Sequence, residues 1–502
     1  MTRTAWRLPA LLVLGALVMQ AAWILALPPF RGADEFDHAY RAAAVAHGGL
    51  IADAGPTESR GRLVAAPRDL IDAATPVCES YPYTTDELCT PGQAVGDGYY
   101  TVASGAGRYN PLFYGAIGLP SLLFDGAGSL YAMRVAAAVL CSVFLGLAGW
   151  SLTRWSRTRW PAVGLVATIT PVAVYSTAVA APNGIEMCAA LAVWCALLGL
   201  TRDHLDSATQ RALIWAALPG ALVLTTVRQL GPVWLLLITA TVVLLAPRQV
   251  WSVVKQHRRA VTAAFLTTCL FTAGSVGWMF VAGQDSGPQI KGDFQDPLGN
   301  AFIRLPVWLI QSIGVFPAKD EFAPPVVYAA TIIALGAAFC LGVFLVRTRV
   351  RLAIAFVIAV SMAIPLFATI ATYTHSGDLW QGRYGLPYSF GVLLLLGYGL
   401  DQVQFRHRLR GPMVAAGWFA LGLAQISAVT HVFAHELDHS PLAGTSEWLQ
   451  APLWVVPALM AVGWTLWALA VTSLAPSSPS ASDPVAAVAP PVETEQLATQ
   501  GA

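Results

Sequence analysis

Long apolar blocks separated by short polar segments run along most of the chain. Each block has the length, roughly 17–25 residues, that an α-helix needs to cross a bilayer core. The blocks are continuous and do not alternate apolar with polar residues, which favours helices over the strands of a membrane barrel. The pattern predicts about twelve spans, at residues 8–27, 130–152, 161–182, 184–200, 211–226, 231–246, 260–282, 324–346, 350–372, 384–400, 412–430 and 452–473.

The predicted fold class is therefore an all-α, polytopic helical membrane protein. Composition agrees, since 56% of the 502 residues are hydrophobic, only 11% are charged and the mean hydropathy is +0.60. Soluble domains carry about 25% charged residues, so this chain suits a lipid environment better than water. Segment 111–124 is short and begins at a proline, which predicts an interfacial or re-entrant segment in place of a further span.

Basic residues lie mostly on one side of this arrangement. With the N-terminus inside, the inner loops hold basic clusters at 154–159, 255–259, 347–351 and 406–410, whereas the short outer loops hold few. The positive-inside rule then places both termini in the cytoplasm. Arginine greatly outnumbers lysine, as is typical of GC-rich bacterial genomes, so we expect a bacterial plasma membrane. The net charge of +1 gives no reason to expect a nucleic acid partner.

The spans define one transmembrane domain over residues 1–474, which includes a large first extracytoplasmic loop with juxtamembrane helices at 28–129. Residues 475–502 are rich in Pro, Ser and Ala and lack periodicity, which predicts a disordered cytoplasmic tail. Cys78 and Cys89 both lie in the outer loop. An oxidising exterior permits a disulfide between them, and two free thiols are the alternative.

A group of ionisable residues follows the first span. Pro28-Pro29 end the first helix, and a new helix is predicted to start at Asp34. On it Asp34, His38 and Arg41 share one face, and Glu35 is adjacent. A carboxylate just above the membrane can act as a general base or hold a divalent cation. The alternative is that these acidic residues only complement the positive end of the helix dipole.

Three outer arginines are candidates for binding a lipid-linked phosphate, because a planar guanidinium binds phosphate in a bidentate manner. Arg383 stands between Gln381 and Tyr384 where the chain re-enters the membrane. Arg228 lies in a break between two spans, and Arg134 enters another. The alternative for Arg383 is that it snorkels to the surface beside aromatic residues of the membrane interface.

A second motif points to different chemistry. Residues 435–439 read HELDH and match H-E-x-x-H, in which two histidines bind zinc and the glutamate activates water. His435, Glu436 and His439 are therefore an alternative metal site, in a zinc-dependent membrane protease. Ser440-Pro441 end the helix at once, and no third ligand stands at a metalloprotease spacing, so we interpret the segment as a polar helix end.

Two of these motifs resemble a bacterial family of polytopic membrane proteins of unknown function. That family shows DE-x-x-H after its first span, here Asp34-Glu35 with His38, and QGRY-x-x-P before a late span, here 381–384 with Pro387. The layout is similar to the GT-C glycosyltransferases, which use polyprenyl-phosphate sugars. In those enzymes a PPLYY-like segment and an arginine-bearing second span follow the acidic loop, and segment 110–114 and Arg134 take those places here.

The GT-C resemblance implies that Asp34, or Glu35, deprotonates an acceptor hydroxyl. It implies transfer of a sugar from a polyprenyl-phosphate donor to a glycan, lipid or protein acceptor at the outer face, among membrane lipids. It names no cofactor, and a divalent cation is the one candidate. The alternative function is a transporter or flippase for a lipid-linked glycan, although few ionisable residues lie within the spans.

Overall fold

The computed structural model describes residues 6–54, 61–81, 84, 86–283, 295–317, 321–377, 380–403 and 410–474. The predicted tail at 475–502 lies outside these ranges. The helices are α1 (Arg7–Ala26), α2 (Glu35–Ala46), α3 (Arg68–Glu79), α4 (Asp86–Cys89), α5 (Pro111–Gly118), α6 (Gly126–Trp155), α7 (Trp160–Ala167), α8 (Pro171–Ser176), α9 (Pro182–Leu200), α10 (Ser207–Val227), α11 (Gly231–Leu245), α12 (Pro247–Gln256), α13 (Arg258–Val281), α14 (Pro297–Gly314), α15 (Pro325–Val343), α16 (Thr348–Ser376), α17 (Leu386–Ser389), α18 (Gly391–Leu400), α19 (Arg410–His439) and α20 (Val455–Ser473). The strands are β1 (Arg62–Pro67), β2 (Ala94–Gly96), β3 (Tyr99–Ser104), β4 (Val315–Phe316) and β5 (Glu321–Phe322), and 3-10 helices span Leu119–Leu123 and Gly382–Gly385.

Within the described ranges, nine helices are long and apolar enough to cross a membrane: α1, α6, α9, α10, α13, α15, α16, α19 and α20. Helices α11 and α12 make a tenth candidate if they are counted as one span bent by 106°. The polytopic helical prediction is confirmed, and the number of long helices is close to the number predicted.

Two predicted spans are built from broken helices. Residues 161–182 form α7 and α8, and residues 384–400 form a 3-10 turn followed by α17 and α18. Proline lacks the N–H that continues a helix, and Pro171, Pro182 and Pro387 each stand in the first turn of a new one. The segments around these breaks are almost entirely buried, as irregular backbone at membrane depth requires.

The core is centred on α9, in which nearly every side chain is buried and which packs against α6 and α10. Helix α1 packs against α20 and α6, so the two ends of the described chain lie together. Helix α13 has no buried residue, and its exposed side chains include Phe265, Leu270 and Phe280. Such an apolar outer surface is suited to lipid contact.

The first outer loop contains strands that the all-α prediction did not include. Strands β1, β3 and β2 form an antiparallel sheet in that order, with Arg62 opposite Ser104 at one end. Both β1 and β3 pack against α2. Cys78 and Cys89 form a disulfide, with their Cα atoms 5.4 Å apart, which selects the first of the two alternatives.

The loops that the charge pattern assigned to one face do contact one another. At one end of the bundle, Arg202 pairs with Asp401 at 2.9 Å, and Asp401 also accepts from the backbone of Arg157 and Thr158. Among the predicted outer segments, Arg31 Nε lies 2.9 Å from Glu436 Oε1, although 405 positions separate the two residues. Each of these two contacts therefore joins segments that are predicted to lie on the same side of the membrane.

A buried ion pair joins the first outer loop to α6. Both Glu35 and Arg134 are fully buried, and their atoms approach to 2.7 and 2.8 Å in a bidentate contact. Arg134 also donates to the carbonyl oxygens of Leu27 and Pro28 at the end of α1. Glu35 accepts from Ala180 N at 3.0 Å, which brings in the segment before α9. One pair thus fixes where the first outer helix begins.

We expect Arg134→Ala to destabilise the protein by about 3–5 kcal/mol, because it leaves the Glu35 carboxylate buried without its partner. The matched control is Arg68→Ala, which removes an exposed pair with Asp72 worth about 0.2–1 kcal/mol. Thermal unfolding of both variants in detergent measures the difference. Equal melting temperatures for Arg134→Ala and the wild type would contradict the anchoring role.

Candidate functional site

Two residues that are far apart in the sequence lie close together at the start of α2. Asp34 caps the start of α2, and Arg383 lies in the 3-10 helix before α17. Arg383 Nη2 is 3.9 Å from Asp34 Oδ2. The Arg383 side chain is 5% exposed and that of Asp34 is 32% exposed, so the carboxylate is the part of the pair that solvent reaches.

The backbone around Asp34 is held in an unusual conformation. Asp34 has φ of 53°, in the left-handed region that aspartate tolerates better than most residues. Gly32 N donates to Glu35 Oε2 at 3.0 Å, and Ala33 N donates to the Tyr175 hydroxyl at 2.9 Å. That hydroxyl in turn donates to Pro317 O at 2.6 Å. The turn before α2 is therefore fixed from several sides, which orients Asp34.

The glycine of the QGRY motif is required by close packing. A Cβ atom on Gly382 would collide with the Trp308 carbonyl oxygen on α14. Gly382 N donates to Gln311 Oε1 at 2.9 Å on the same helix. The two contacts hold the motif against α14 and set the direction of the Arg383 side chain.

The polar atoms of this motif are buried and incompletely satisfied. Within the described ranges, Arg383 Nε and Nη2 and Gln381 Oε1 make no hydrogen bond. A buried guanidinium N–H without an acceptor costs free energy unless a ligand supplies one. Two N–H groups of Arg383 are therefore available to donate hydrogen bonds to a ligand.

A second guanidinium shares an aromatic ring with Arg383. Arg228 lies over Tyr384 at 4.3 Å, and Arg383 lies 5.8 Å from the centre of the same ring. Arg228 also approaches Glu186 at 3.8 Å and hydrogen-bonds Asn183. Tyr384 therefore contacts both guanidinium groups, and each of them has a carboxylate within 4 Å: Glu186 for Arg228 and Asp34 for Arg383.

His38 completes this group. Its Nδ1 lies 2.8 Å from the Tyr114 hydroxyl, and its ring stacks on Tyr109 with centroids 5.9 Å apart. Burial lowers the pKa of His38 from 6.5 to about 4; Arg228 and Arg383 act in the same direction, and Asp34 opposes them. His38 is therefore neutral at physiological pH.

The two adjacent carboxylates occupy different environments. Both oxygens of Glu35 are engaged, by Arg134 and by the backbone of Gly32 and Ala180. Arg134 is likewise fully buried, and its Nε, Nη1 and Nη2 atoms all donate to protein acceptors. Neither is open to a substrate. Of the predicted pair of carboxylates, Asp34 is the one that borders open space.

The match of HELDH to H-E-x-x-H suggests a zinc site, but the side chains of this motif contact other residues of the protein. Glu436 is buried and pairs with Arg31, and the rings of His435 and His439 stack 4.3 Å apart. His435 Nε2 also lies 3.3 Å from Glu321. In the part of the chain that the structure describes, no group of three or more His, Cys, Asp or Glu residues is arranged to hold a metal ion.

Sequence reasoning missed some residues that shape the site. Tyr175 supports the turn before Asp34 from a buried helix, and Arg31 joins that turn to α19. Their partners lie more than a hundred positions away, so spacing along the chain carries no signal for them. Tyr109 and Tyr114 stand in the noted segment around Asn110, and their aromatic character was the available signal.

The chain is similar to the crystal structure of ArnT from Cupriavidus metallidurans bound to undecaprenyl phosphate, with 16% sequence identity and a TM-score of 0.39, over 94% of this chain and 78% of that one. It is also similar to the apo state of the same protein, with 15% identity and a TM-score of 0.38, over 92% and 76%. No curated protein sequence matches the chain.

Residues 17–392 match the family described as "Predicted membrane protein (DUF2142)". The match covers more than half of the chain and includes both Asp34 and the QGRY motif. The family resemblance drawn from these motifs is confirmed, and the chain belongs to the DUF2142 family of predicted membrane proteins.

Proposed function

We propose that this protein is a membrane glycosyltransferase that transfers a sugar from a polyprenyl-phosphate donor to an envelope acceptor at the outer face. The observation that carries the proposal is the contact between Asp34 and Arg383, in which a half-exposed carboxylate lies 3.9 Å from a buried guanidinium with unsatisfied N–H groups. The pair brings together a base and an anion-binding group, as a reaction with a phosphate leaving group requires.

Arg383 and Arg228 are the proposed phosphate-binding residues. Charge-assisted hydrogen bonds from a guanidinium to phosphate are roughly twice as strong as neutral ones, and the fork geometry fixes the phosphate. Tyr384 holds the two guanidinium groups on one ring, and Gln381 adds a buried polar atom beside them. The lipid tail would extend into the membrane that surrounds the helices.

Asp34 is the proposed general base. It removes the proton from the acceptor hydroxyl as that oxygen attacks the anomeric carbon of the donor sugar. The bond between this carbon and the phosphate oxygen breaks, and the phosphate leaves with one more negative charge. Arg383 and Arg228 stabilise that charge as it develops, which is how an electrostatic site lowers a barrier. Glu35 takes no part in the reaction itself. Its contacts with Gly32 and Arg134 hold the turn before α2, and this turn positions Asp34.

His38 contributes as a neutral group. Its Nδ1 is occupied by the Tyr114 hydroxyl and it lies near both arginines, so it adds no positive charge that would compete for the Asp34 carboxylate. We expect it to orient a substrate hydroxyl and to keep Asp34 available for a proton.

We expect Asp34→Asn to lower transfer by about 10²–10⁴-fold, the usual contribution of a general base. The assay measures incorporation of labelled sugar from polyprenyl-phosphate sugars in membranes that contain the variant. Because Asp34 is half-exposed, the melting temperature in detergent should stay close to that of the wild type. Wild-type transfer by Asp34→Asn would remove the base assignment.

We expect Arg383→Ala to weaken binding of undecaprenyl phosphate by about 10–100-fold, because it removes hydrogen bonds to a charged group. Arg383→Lys should recover part of the affinity, since lysine keeps the charge but lacks the bidentate fork. Native mass spectrometry of the detergent-purified variants gives the bound fraction, and Arg68→Ala is the control. Unchanged affinity in Arg383→Ala would exclude this residue from the phosphate site.

The lowered pKa of His38 predicts a pH effect on stability. Between about pH 6.5 and 4 the unfolded chain binds a proton at this residue that the folded protein does not, so stability falls as the pH falls through that window. His38→Gln, which keeps a hydrogen-bonding group without titrating, should show a shallower loss. Parallel curves of melting temperature against pH for the two proteins would contradict the buried neutral histidine.

A further inference from the structure

A cavity of about 240 Å³ lies beside α2, between this helix and the sheet of the first outer loop. On the helix side its wall includes Asp34, Asp37 and His38, and on the sheet side it includes Arg62, Arg108 and Tyr109. Asp34 therefore both contacts Arg383 and forms part of the wall of this cavity. The proposed phosphate site involves only the contact with Arg383 and leaves the cavity unexplained.

The wall combines hydrogen-bond acceptors with donors. Asp34 and Asp37 contribute carboxylate oxygens, which only accept, and Arg62 and Arg108 contribute N–H groups, which only donate. Part of this capacity is used within the protein, since Asp37 Oδ1 accepts from Gly105 N at 2.6 Å and Arg62 Nε donates to Ala52 O at 3.1 Å. Within the described ranges the Arg108 guanidinium makes no hydrogen bond or ion pair. An anion in this space would face two carboxylates, and a cation would face two guanidinium groups. A ligand rich in hydroxyl groups can hydrogen-bond to both the carboxylates and the guanidinium groups, because each hydroxyl donates and accepts.

The wall also offers an aromatic surface. Tyr109 lines the cavity and stacks on His38, with an angle of 15° between the rings. An aromatic ring provides a flat apolar contact for the C–H face of a sugar, while its polar neighbours bind the hydroxyls. The volume lies below the range of roughly 300–1,000 Å³ of sites for drug-sized ligands, so it suits a single ring.

We propose that this cavity binds one carbohydrate ring, with Arg108 and the carboxylates hydrogen-bonding its hydroxyls and one hydroxyl placed beside Asp34. The inference deepens the proposed function, on which it rests for the identity of the reaction. Two sources supply this chemistry: the sugar of the polyprenyl-phosphate donor, or a sugar unit of a glycan acceptor. Binding itself requires no transfer, so the two proposals are tested separately.

The test is saturation-transfer-difference NMR on the detergent-purified full-length protein with free glucose, galactose, mannose, arabinose and N-acetylglucosamine. We expect signals from at least one sugar in the wild type and about a tenfold weaker affinity in Arg108→Ala, the loss that follows from removing hydrogen bonds of a charged group. Arg108→Lys should fall between the two. Arg68→Ala, on an exposed face of the same loop, should bind as the wild type does.

Displacement then distinguishes the sources. If a short-chain polyprenyl-phosphate hexose displaces the free sugar and the same phosphate without hexose does not, the cavity holds the donor sugar. If neither displaces it, the cavity holds an acceptor sugar. The absence of any sugar signal in the wild type, or equal affinity in folded Arg108→Ala, overturns the inference. Sugar binding without transfer would leave the cavity assignment intact and overturn the glycosyltransferase proposal.

Discussion

The buried ion pair between Glu35 and Arg134 is the constraint on which the outer part of this structure depends. Two full charges removed from water are tolerated only when each one meets an opposite charge and every remaining lone pair or N–H finds a partner. Here Arg134 on α6 donates to a carbonyl oxygen at the end of α1, and Glu35 on α2 accepts from a backbone N–H before α9. The pair therefore joins α1, α2, α6 and the segment before α9 at one point. Asp34, the residue before Glu35, takes its position and its left-handed conformation from this junction.

The adjacent carboxylates show how one sequence motif supplies two functions. Glu35 is buried among donors and acts as an anchor, whereas Asp34 stays half-exposed beside Arg383. Both side chains are carboxylates, so the difference between them comes from their surroundings and not from their chemistry. Asp34 borders both the Arg383 guanidinium and the cavity beside α2, whose wall combines donors and acceptors. In the proposed reaction Asp34 takes the proton of the acceptor hydroxyl, and Arg383 and Arg228 bind the departing phosphate.

The sequence predicts the membrane class and most of the long helices, because hydrophobic length is a local signal. Residue chemistry singles out Asp34 and Arg383 as separate candidates, but the contact between them is visible only in the structure. The sequence does not predict the sheet of the first outer loop, whose strands are only three to six residues long. The sequence also predicts regular spans at 161–182 and 384–400, because both segments are apolar. In the structure, breaks at prolines separate α7 from α8 and begin α17. The ion pairs of Glu35 and Glu436 with distant arginines could not be predicted from the sequence, because tertiary packing decides which residues meet, as it does for Arg31 and Glu436.

A structure of the full-length protein with undecaprenyl phosphate, determined by cryo-electron microscopy in a lipid nanodisc, tests the central claim most directly. The account predicts phosphate density within hydrogen-bonding distance of Arg383 Nε and Nη2, on the side of Asp34, with Arg228 adjacent. Phosphate bound elsewhere on the outer surface, with the Arg383 guanidinium still lacking an acceptor, would contradict it.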